Sequence, residues 1–157
     1  MKKEFAIAIG SDHAGYLLKE KIKAHLEEQG YFVKDYGTDS LDRCDYPLYA
    51  KAVAKSVAIG EYARGILICG TGVGISIAAN KVHGVRCVCC SEPYSALLSR
   101  QHNDTNILSM GARVVSDGLA FMICDAWLLG KYEGERHQKR LDQIADIEKE
   151  ENEIAYV

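Results

Sequence analysis

This sequence predicts an α/β fold built on a five-stranded parallel sheet, and three observations lead to it. Short apolar runs recur without polar alternation, as strands buried on both faces require. Helix-length amphipathic segments separate those runs, which is the arrangement of crossover connections between parallel strands. No linker, internal repeat or low-complexity stretch interrupts the alternation, so residues 1–157 read as one domain.

Phe5-Ala-Ile-Ala-Ile-Gly10 is the first strand. From Tyr16 to Gln29 a helix places Leu17, Leu18, Ile22 and Leu26 on one face, and Gly30 is a natural stop. Tyr31 to Tyr36 is the second strand, and Pro47 opens a helix that runs to Gly60. Gly65 to Cys69 is the third strand, followed at once by Gly70-Thr-Gly-Val-Gly74 and a helix through Asn80. Val85 to Cys90 is a strand, Pro93 to His102 a helix, and Asn106 to Met110 the fifth strand. Helices over Ser116–Leu129 and Glu135–Glu150 close the chain. The result is a doubly wound, Rossmann-like sheet flanked by helices. Such sheets hold ligands beyond the carboxyl ends of their strands. That rule selects Ser11-Asp12-His13, the stretch Cys69 to Gly74, and the region of Arg113.

Composition narrows the function classes. Hydrophobic residues make up 48% and charged residues 26%, an ordinary globular balance. A net charge of −3 without a Lys/Arg run gives no footprint for nucleic acid or an anionic membrane surface. The apolar run that begins at Phe5 stops at Gly10, too short for a signal-peptide core, and no segment reaches the roughly 18 apolar residues of a membrane span. A cytoplasmic protein is expected. Six cysteines, at 44, 69, 87, 89, 90 and 124, include one C-x-x-C spacing, Cys87 to Cys90, but it falls inside an apparent strand with no second ligand pair, so neither a disulfide framework nor a metal site is expected. Cys87, Cys89 and Cys90 read as small core thiols within a strand.

The glycine-rich loop invites a nucleotide reading, which fails. The dinucleotide fingerprint would need a third glycine where Ile75 stands, and it belongs on the first strand–helix turn. A phosphate loop of the Walker type would need a Lys-Ser/Thr pair where Ile75-Ser76 follows. What the loop does offer is backbone N–H groups at a helix start, able to stabilise a bound or developing negative charge. Cys69 stands immediately before it, where a thiol is either a nucleophile or base, or a core residue.

The other polar groups also carry two readings each. Asp12-His13 is either a carboxylate–imidazole pair at a strand end or turn chemistry. Ser99-Arg-Gln-His-Asn-Asp104 is either a functional loop or a solvated one. Arg136 and Arg140, four residues apart, are either an exposed charged face or a forked grip on a phosphate.

Taken together these residues resemble the type B ribose-5-phosphate isomerases, relatives of the galactose-6-phosphate isomerase subunits. The resemblance rests on Gly10-Ser-Asp-His-Ala-Gly15, Asp45-Tyr-Pro47, Ile68-Cys-Gly-Thr-Gly-Val-Gly-Ile-Ser-Ile-Ala-Ala-Asn-Lys81 and Cys90-Ser-Glu-Pro-Tyr94. It continues through Ser99-Arg-Gln-His-Asn-Asp-Thr-Asn106, Gly111-Ala-Arg-Val-Val115 and Tyr132-Glu-Gly-Glu-Arg-His137, so that it spans about Ala6 to Ile147. Residues 151–157 extend beyond the family's usual end.

The resemblance implies an aldose–ketose isomerase that needs no cofactor and no metal. It implies Cys69 as the base between C2 and C1, and the loop of Gly70, Thr71, Gly72, Val73 and Gly74 as the holder of the enediolate oxygen. His102 with Asp12 would open the sugar ring, and Asn103 would bind hydroxyls. His13, Arg113, Arg136 and Arg140 would surround the phosphate, with His137 nearby and Tyr46 lining the pocket. It also implies a homodimer with the site between subunits, His102 coming from the second copy, and leaves open a pairing of dimers. One branch of the family replaces the thiol with a glutamate at the position of Ile75; this sequence falls in the thiol branch. Six-carbon phosphates such as allose 6-phosphate or galactose 6-phosphate remain alternative substrates, and a non-catalytic sugar-phosphate binding module is the alternative from another class.

Overall fold

The computed structural model describes residues 6–154. Five parallel strands form one sheet in the order β2-β1-β3-β5-β4. They are β1 (Ala6–Ser11), β2 (Phe32–Asp35), β3 (Arg64–Cys69), β4 (Cys87–Cys89) and β5 (Ile107–Gly111). The helices are α1 (Tyr16–Glu28), α2 (Tyr46–Ala58), α3 (Val73–Ala79), α4 (Pro93–Asn103), α5 (Asp117–Leu129) and α6 (Arg136–Ile154). The expected fold class is therefore observed. Phe5, assigned to the first strand from sequence, and residues 155–157 of the expected extension lie outside the described residues, while 151–154 continue α6.

Burial follows position in the sheet. The central strands β1 and β5 are buried at every residue, whereas edge strand β2 alternates between exposed and half-buried positions. Ile7, Ile9, Ile66, Ile68, Leu108 and Met110 pack under α1, α4 and α5 on one face. Ala8, Leu67, Cys69 and Ile107 pack under α2 and α3 on the other. Each fully buried aliphatic side chain contributes roughly 1.5–3 kcal/mol, so these central strands hold the two layers together. Edge strand β4 spans three residues, not the six expected from Val85 to Cys90. It has a ladder partner only in β5.

On α1, Leu18, Ile22 and Leu26 are buried as expected, but Leu17 is 59% exposed. Lys19 takes the place on the buried face, because positions 19, 22 and 26 follow the helical repeat. At 1% exposure its ammonium pairs with Asp35 at the end of β2 and with Glu20 at 2.9 Å. Asp35 in turn accepts the Gly37 N–H at 2.9 Å. Ser11 N–H donates to the Gly37 carbonyl at 2.6 Å, and Thr38 N–H donates to the Ser11 carbonyl at 2.8 Å. A buried ion pair thus braces the segment that flanks the end of β1.

Candidate active site

The helices that follow β1 and β3 leave on opposite faces of the sheet, α1 over one core layer and α3 over the other. The adjacent carboxyl ends of β1 and β3 therefore border a crevice, the switch point at which α/β sheets bind ligands. Asp12 and His13 stand on one side and Cys69 to Gly74 on the other.

Cys69 is the last residue of β3 and 4% exposed. Its sulfur accepts the Gly72 N–H at 3.1 Å. The Cys69 carbonyl accepts the Ala112 N–H at 2.8 Å, and the Gly70 carbonyl accepts the Arg113 N–H at 3.1 Å, so the ends of β3 and β5 are stitched together. Gly72 has φ +79°, and a Cβ there would lie 2.6 Å from the Met110 carbonyl carbon, so both conformation and space demand glycine. Ser109 Oγ donates to the Gly72 carbonyl at 3.0 Å from below. The turn is fixed by these contacts, and exposed Thr71 projects from it, its hydroxyl 3.4 Å from the Val73 N–H.

Two further side chains rim this loop. The Arg113 guanidinium overlies Gly70, where a Cβ would come within 3.2 Å of Nη1. The Tyr46 ring, from the first turn of α2, covers Gly74, where a Cβ would fall 2.7 Å from the phenol carbon. Glycines at 70 and 74 thus let a cation and a phenol approach the backbone.

Across the crevice, buried Asp12 accepts the Gly15 N–H at 3.0 Å, so one of its oxygens does turn chemistry. His13 Nδ1 accepts the Cys44 N–H at 3.2 Å and lies 3.3 Å from the Cys44 carbonyl. The backbone of this one residue offers the ring nitrogen both a donor and an acceptor.

The remaining expected site residues lie elsewhere in the chain. Helix α4 returns from the end of β4 to the start of β5, so its last turn sits at the amino end of the sheet. Arg86, immediately before β4, donates to the Asn103 carbonyl at 2.9 Å there. His102 stacks on His137 with ring centroids 4.3 Å apart and planes 9° from parallel. His137 belongs to the first turn of α6, which also carries Arg136 and Arg140. Arg140 Nη1 approaches the Arg136 carbonyl at 3.5 Å. The five residues of β5, roughly 16 Å of strand, separate the two ends of the sheet. One chain therefore gathers Asp12, His13, Tyr46, Cys69, the 70–74 loop and Arg113 at one end. It gathers His102, Asn103, Arg136, His137 and Arg140 at the other.

The polar run Ser99–Asp104 is not a solvated loop. It forms the last turn of α4, ended by Asp104 in the left-handed conformation (φ 44°). Ser99, Arg100 and Thr105 are buried. Arg100 donates to Asp104 at 2.7 Å and to the Thr105 carbonyl at 2.6 Å, and the indole N–H of fully buried Trp127 donates to Thr105 Oγ1 at 2.9 Å. That scaffold leaves half-buried His102 and exposed Asn103 facing outward.

The other cysteines divide. Burial pushes the Cys87 and Cys90 thiols up to about 12, and that of Cys124 further, so all three stay neutral at pH 7. Cys89 departs from its expected core role: it is exposed, because its strand lies at the sheet edge. Sequence reasoning gave no role to Glu133, whose carboxylate lies 3.5 Å from His137 Nε2 and 4.0 Å from His102 Nε2. Its only signal was its place within Tyr132-Glu-Gly-Glu-Arg-His137.

Comparison with known proteins bears on this arrangement. A family model described as ribose/galactose isomerase matches residues 7–144. The chain is 62% identical over 146 residues to ribose-5-phosphate isomerase B of Escherichia coli (strain K12), covering 93% of this chain and 98% of that one. Its structure is similar to that of Clostridium thermocellum ribose-5-phosphate isomerase B, with a TM-score of 0.91 and 51% identity over 92% of this chain and 98% of that one. It is also similar to ribose-5-phosphate isomerase B from Mycoplasma genitalium with bound ribulose-5-phosphate, with a TM-score of 0.89 and 43% identity over 93% and 97% of the two chains.

Proposed function

The chain belongs to the ribose/galactose isomerase family, and from that premise we propose that it interconverts ribose 5-phosphate and ribulose 5-phosphate through an enediolate, with Cys69 as the base. The observation that carries the assignment of the base is the Cys69 sulfur at the switch-point crevice, with the Gly72 N–H directed at it across 3.1 Å. That N–H stabilises negative charge on sulfur, and a thiolate is the form able to take a carbon-bound proton.

The reaction then runs in three steps. Ring opening moves the C1 hydroxyl proton to the ring oxygen and frees the aldehyde; His102 and Asp12 serve this exchange. The Cys69 thiolate takes the C2 proton, the electron pair forms the C1–C2 double bond, and the negative charge settles on O1. The O2 hydroxyl proton passes to O1, the C2 carbonyl forms, and the Cys69 thiol returns its proton to C1. Backbone N–H groups of the Gly70–Gly74 loop and the Thr71 hydroxyl face the oxygen on which charge develops.

His13, Arg113, Arg136 and Arg140 hold the phosphate, whose binding energy positions the distant C2. Tyr46, Asn103 and His137 border the sugar. Because the two groups of residues lie at opposite ends of one sheet, the proposal includes a homodimer in which a second copy supplies His102, Asn103, Arg136, His137 and Arg140. A two-fold axis makes such a site twice. The six free cysteines accord with the reducing cytoplasm.

A second reading keeps the chemistry and lengthens the sugar, since the family model covers galactose as well as ribose isomerases. Turnover measured side by side on ribose 5-phosphate, allose 6-phosphate and galactose 6-phosphate tests both. Preference for the pentose supports the main reading, and preference for a hexose selects the second. Binding without turnover of any of the three would reduce the protein to a sugar-phosphate binding module.

A further inference from the structure

We propose that Glu133 is a positioning residue for the His102–His137 pair, one carboxylate that sets the edges of both stacked rings for proton exchange with the sugar. The inference rests on the reading of His102 as the ring-opening group.

Glu133 lies on the strap between α5 and α6, and the strap is anchored where the side chain is needed. The Glu133 N–H donates to the Gln101 carbonyl at 3.0 Å, which fixes it to the last turn of α4 beside His102. The carboxylate then meets His137 Nε2 at 3.5 Å and His102 Nε2 at 4.0 Å. Both distances end on the same carboxylate oxygen, Oε2, beside two nearly parallel rings. His137 is buried, and the half-buried His102 ring lies flat against it.

The surroundings explain why a carboxylate belongs here. The groups facing His137 are His102 from α4, Glu133 from the strap, and Arg136 and Arg140 from its own helix. Burial holds the His137 imidazole below its usual range, the His102 ring and Arg136 add to that, and Glu133 opposes it. Glu133 is the acid that opposes these effects, so it lowers the cost of a proton on His137.

The same three donor atoms lie within 4.8 Å of one another, a spacing that also invites a transition metal. Arg136 Nε donates to His137 Nε2 at 3.4 Å, however. On the unprotonated ring it occupies the lone pair that a metal needs, and two guanidiniums beside the pair disfavour a dication.

Glu133→Gln keeps the shape and removes the charge, at a side chain 48% exposed and therefore tolerant of substitution. NMR titration should show the His137 midpoint falling by roughly half to one pH unit, the effect of one charge at this distance in a water-like medium. Turnover of cyclic ribose 5-phosphate should fall roughly tenfold, a fraction of what general acid–base catalysis supplies. An open-chain analogue that cannot cyclise should lose less, and Glu133→Asp should recover part of the loss. An unmoved His137 midpoint overturns the proposal irrespective of activity, as does an equal loss on both substrates. Loss of activity in Cys69→Ala beside full activity in Glu133→Gln would sink this inference and leave the proposed function standing.

Discussion

The Gly72 N–H donates to the Cys69 sulfur across 3.1 Å, and the same glycine is held by Ser109 through its carbonyl at 3.0 Å. The donor is thus immobilised before any substrate arrives, which is the preorganisation that electrostatic stabilisation requires. Cys69→Ala should lower kcat by roughly a hundredfold to ten-thousandfold while leaving the phosphate groups in place to bind substrate. Steady-state kinetics with a direct binding measurement checks both halves. Activity within a few-fold of the parent would remove Cys69 from the mechanism.

Gly72→Ala should act differently, by misfolding the turn. The new Cβ would meet the Met110 backbone at 2.6 Å in a backbone conformation that L residues rarely adopt. The expected outcome is a lowered melting temperature along with lost activity, read by thermal unfolding of the parent and variant. A variant as stable as its parent would mean that the turn adjusts freely.

Arg136 and Arg140 share one face of α6 in successive turns, beside His137. Replacement of either by lysine keeps the charge and removes the fork that matches phosphate oxygens. Loss of one charged hydrogen bond should raise KM for ribose 5-phosphate by roughly tenfold. Unphosphorylated ribose should be almost indifferent. An equal loss on the bare sugar would assign these arginines to the fold or the subunit contact.

The fold was legible because it depends on patterns that solvent exclusion writes into the sequence. Buried runs such as Gly65–Cys69 and helices with clear stops at Gly30 and Gly60 are read directly. Edge strand β4 is shorter than its apolar run suggests because the Val85 N–H turns back to the Val82 carbonyl, and Cys90, although its N–H reaches the Ser109 carbonyl, lies past the last ladder pair. Lys19 was missed because a charge reads as exposed, although its helical position puts it inside. The separation of His102 from Cys69 follows from topology, since a crossover helix must end where the next strand begins. Glu133 was not legible, because its significance lies in a contact between α4 and the strap before α6.

The Lys19–Asp35 pair predicts an acid limit to stability. Burial works to raise the Asp35 carboxyl, but Lys19, the Gly37 N–H and Lys23 outweigh it and hold it below the usual range. A depressed carboxyl contributes stability that is complete above the unfolded value, near pH 4, and is lost as pH falls through the lower folded value. Asp35→Asn should therefore cost roughly 2 kcal/mol at neutral pH, less than a wholly buried pair because Asp35 retains some solvent. The gap between parent and variant should narrow as pH falls from about 4 and close only below the folded value. Urea unfolding at pH 7 and pH 3 measures it, and a gap undiminished at pH 3 would place the effect in packing instead.

The division of the site between two ends of the sheet makes the last prediction independent of any single residue's role. If each site draws Cys69 from one chain and His102 from another, Cys69→Ala and His102→Ala homodimers are both inactive at both sites. A mixed dimer has one site carrying both substitutions and one site carrying neither. Random exchange in equal mixture makes about half the dimers mixed, each with one intact site of two, so about a quarter of parental activity should return. The two variants should be unfolded together and refolded, since subunits of a stable dimer exchange slowly. Mixing without exchange is the control and should give nothing. Sites built within one chain would stay dead after co-refolding, because every chain then carries a defect in its own site. Recovery near a quarter is thus expected of a site shared across the two-fold axis, and no recovery would overturn the composite site.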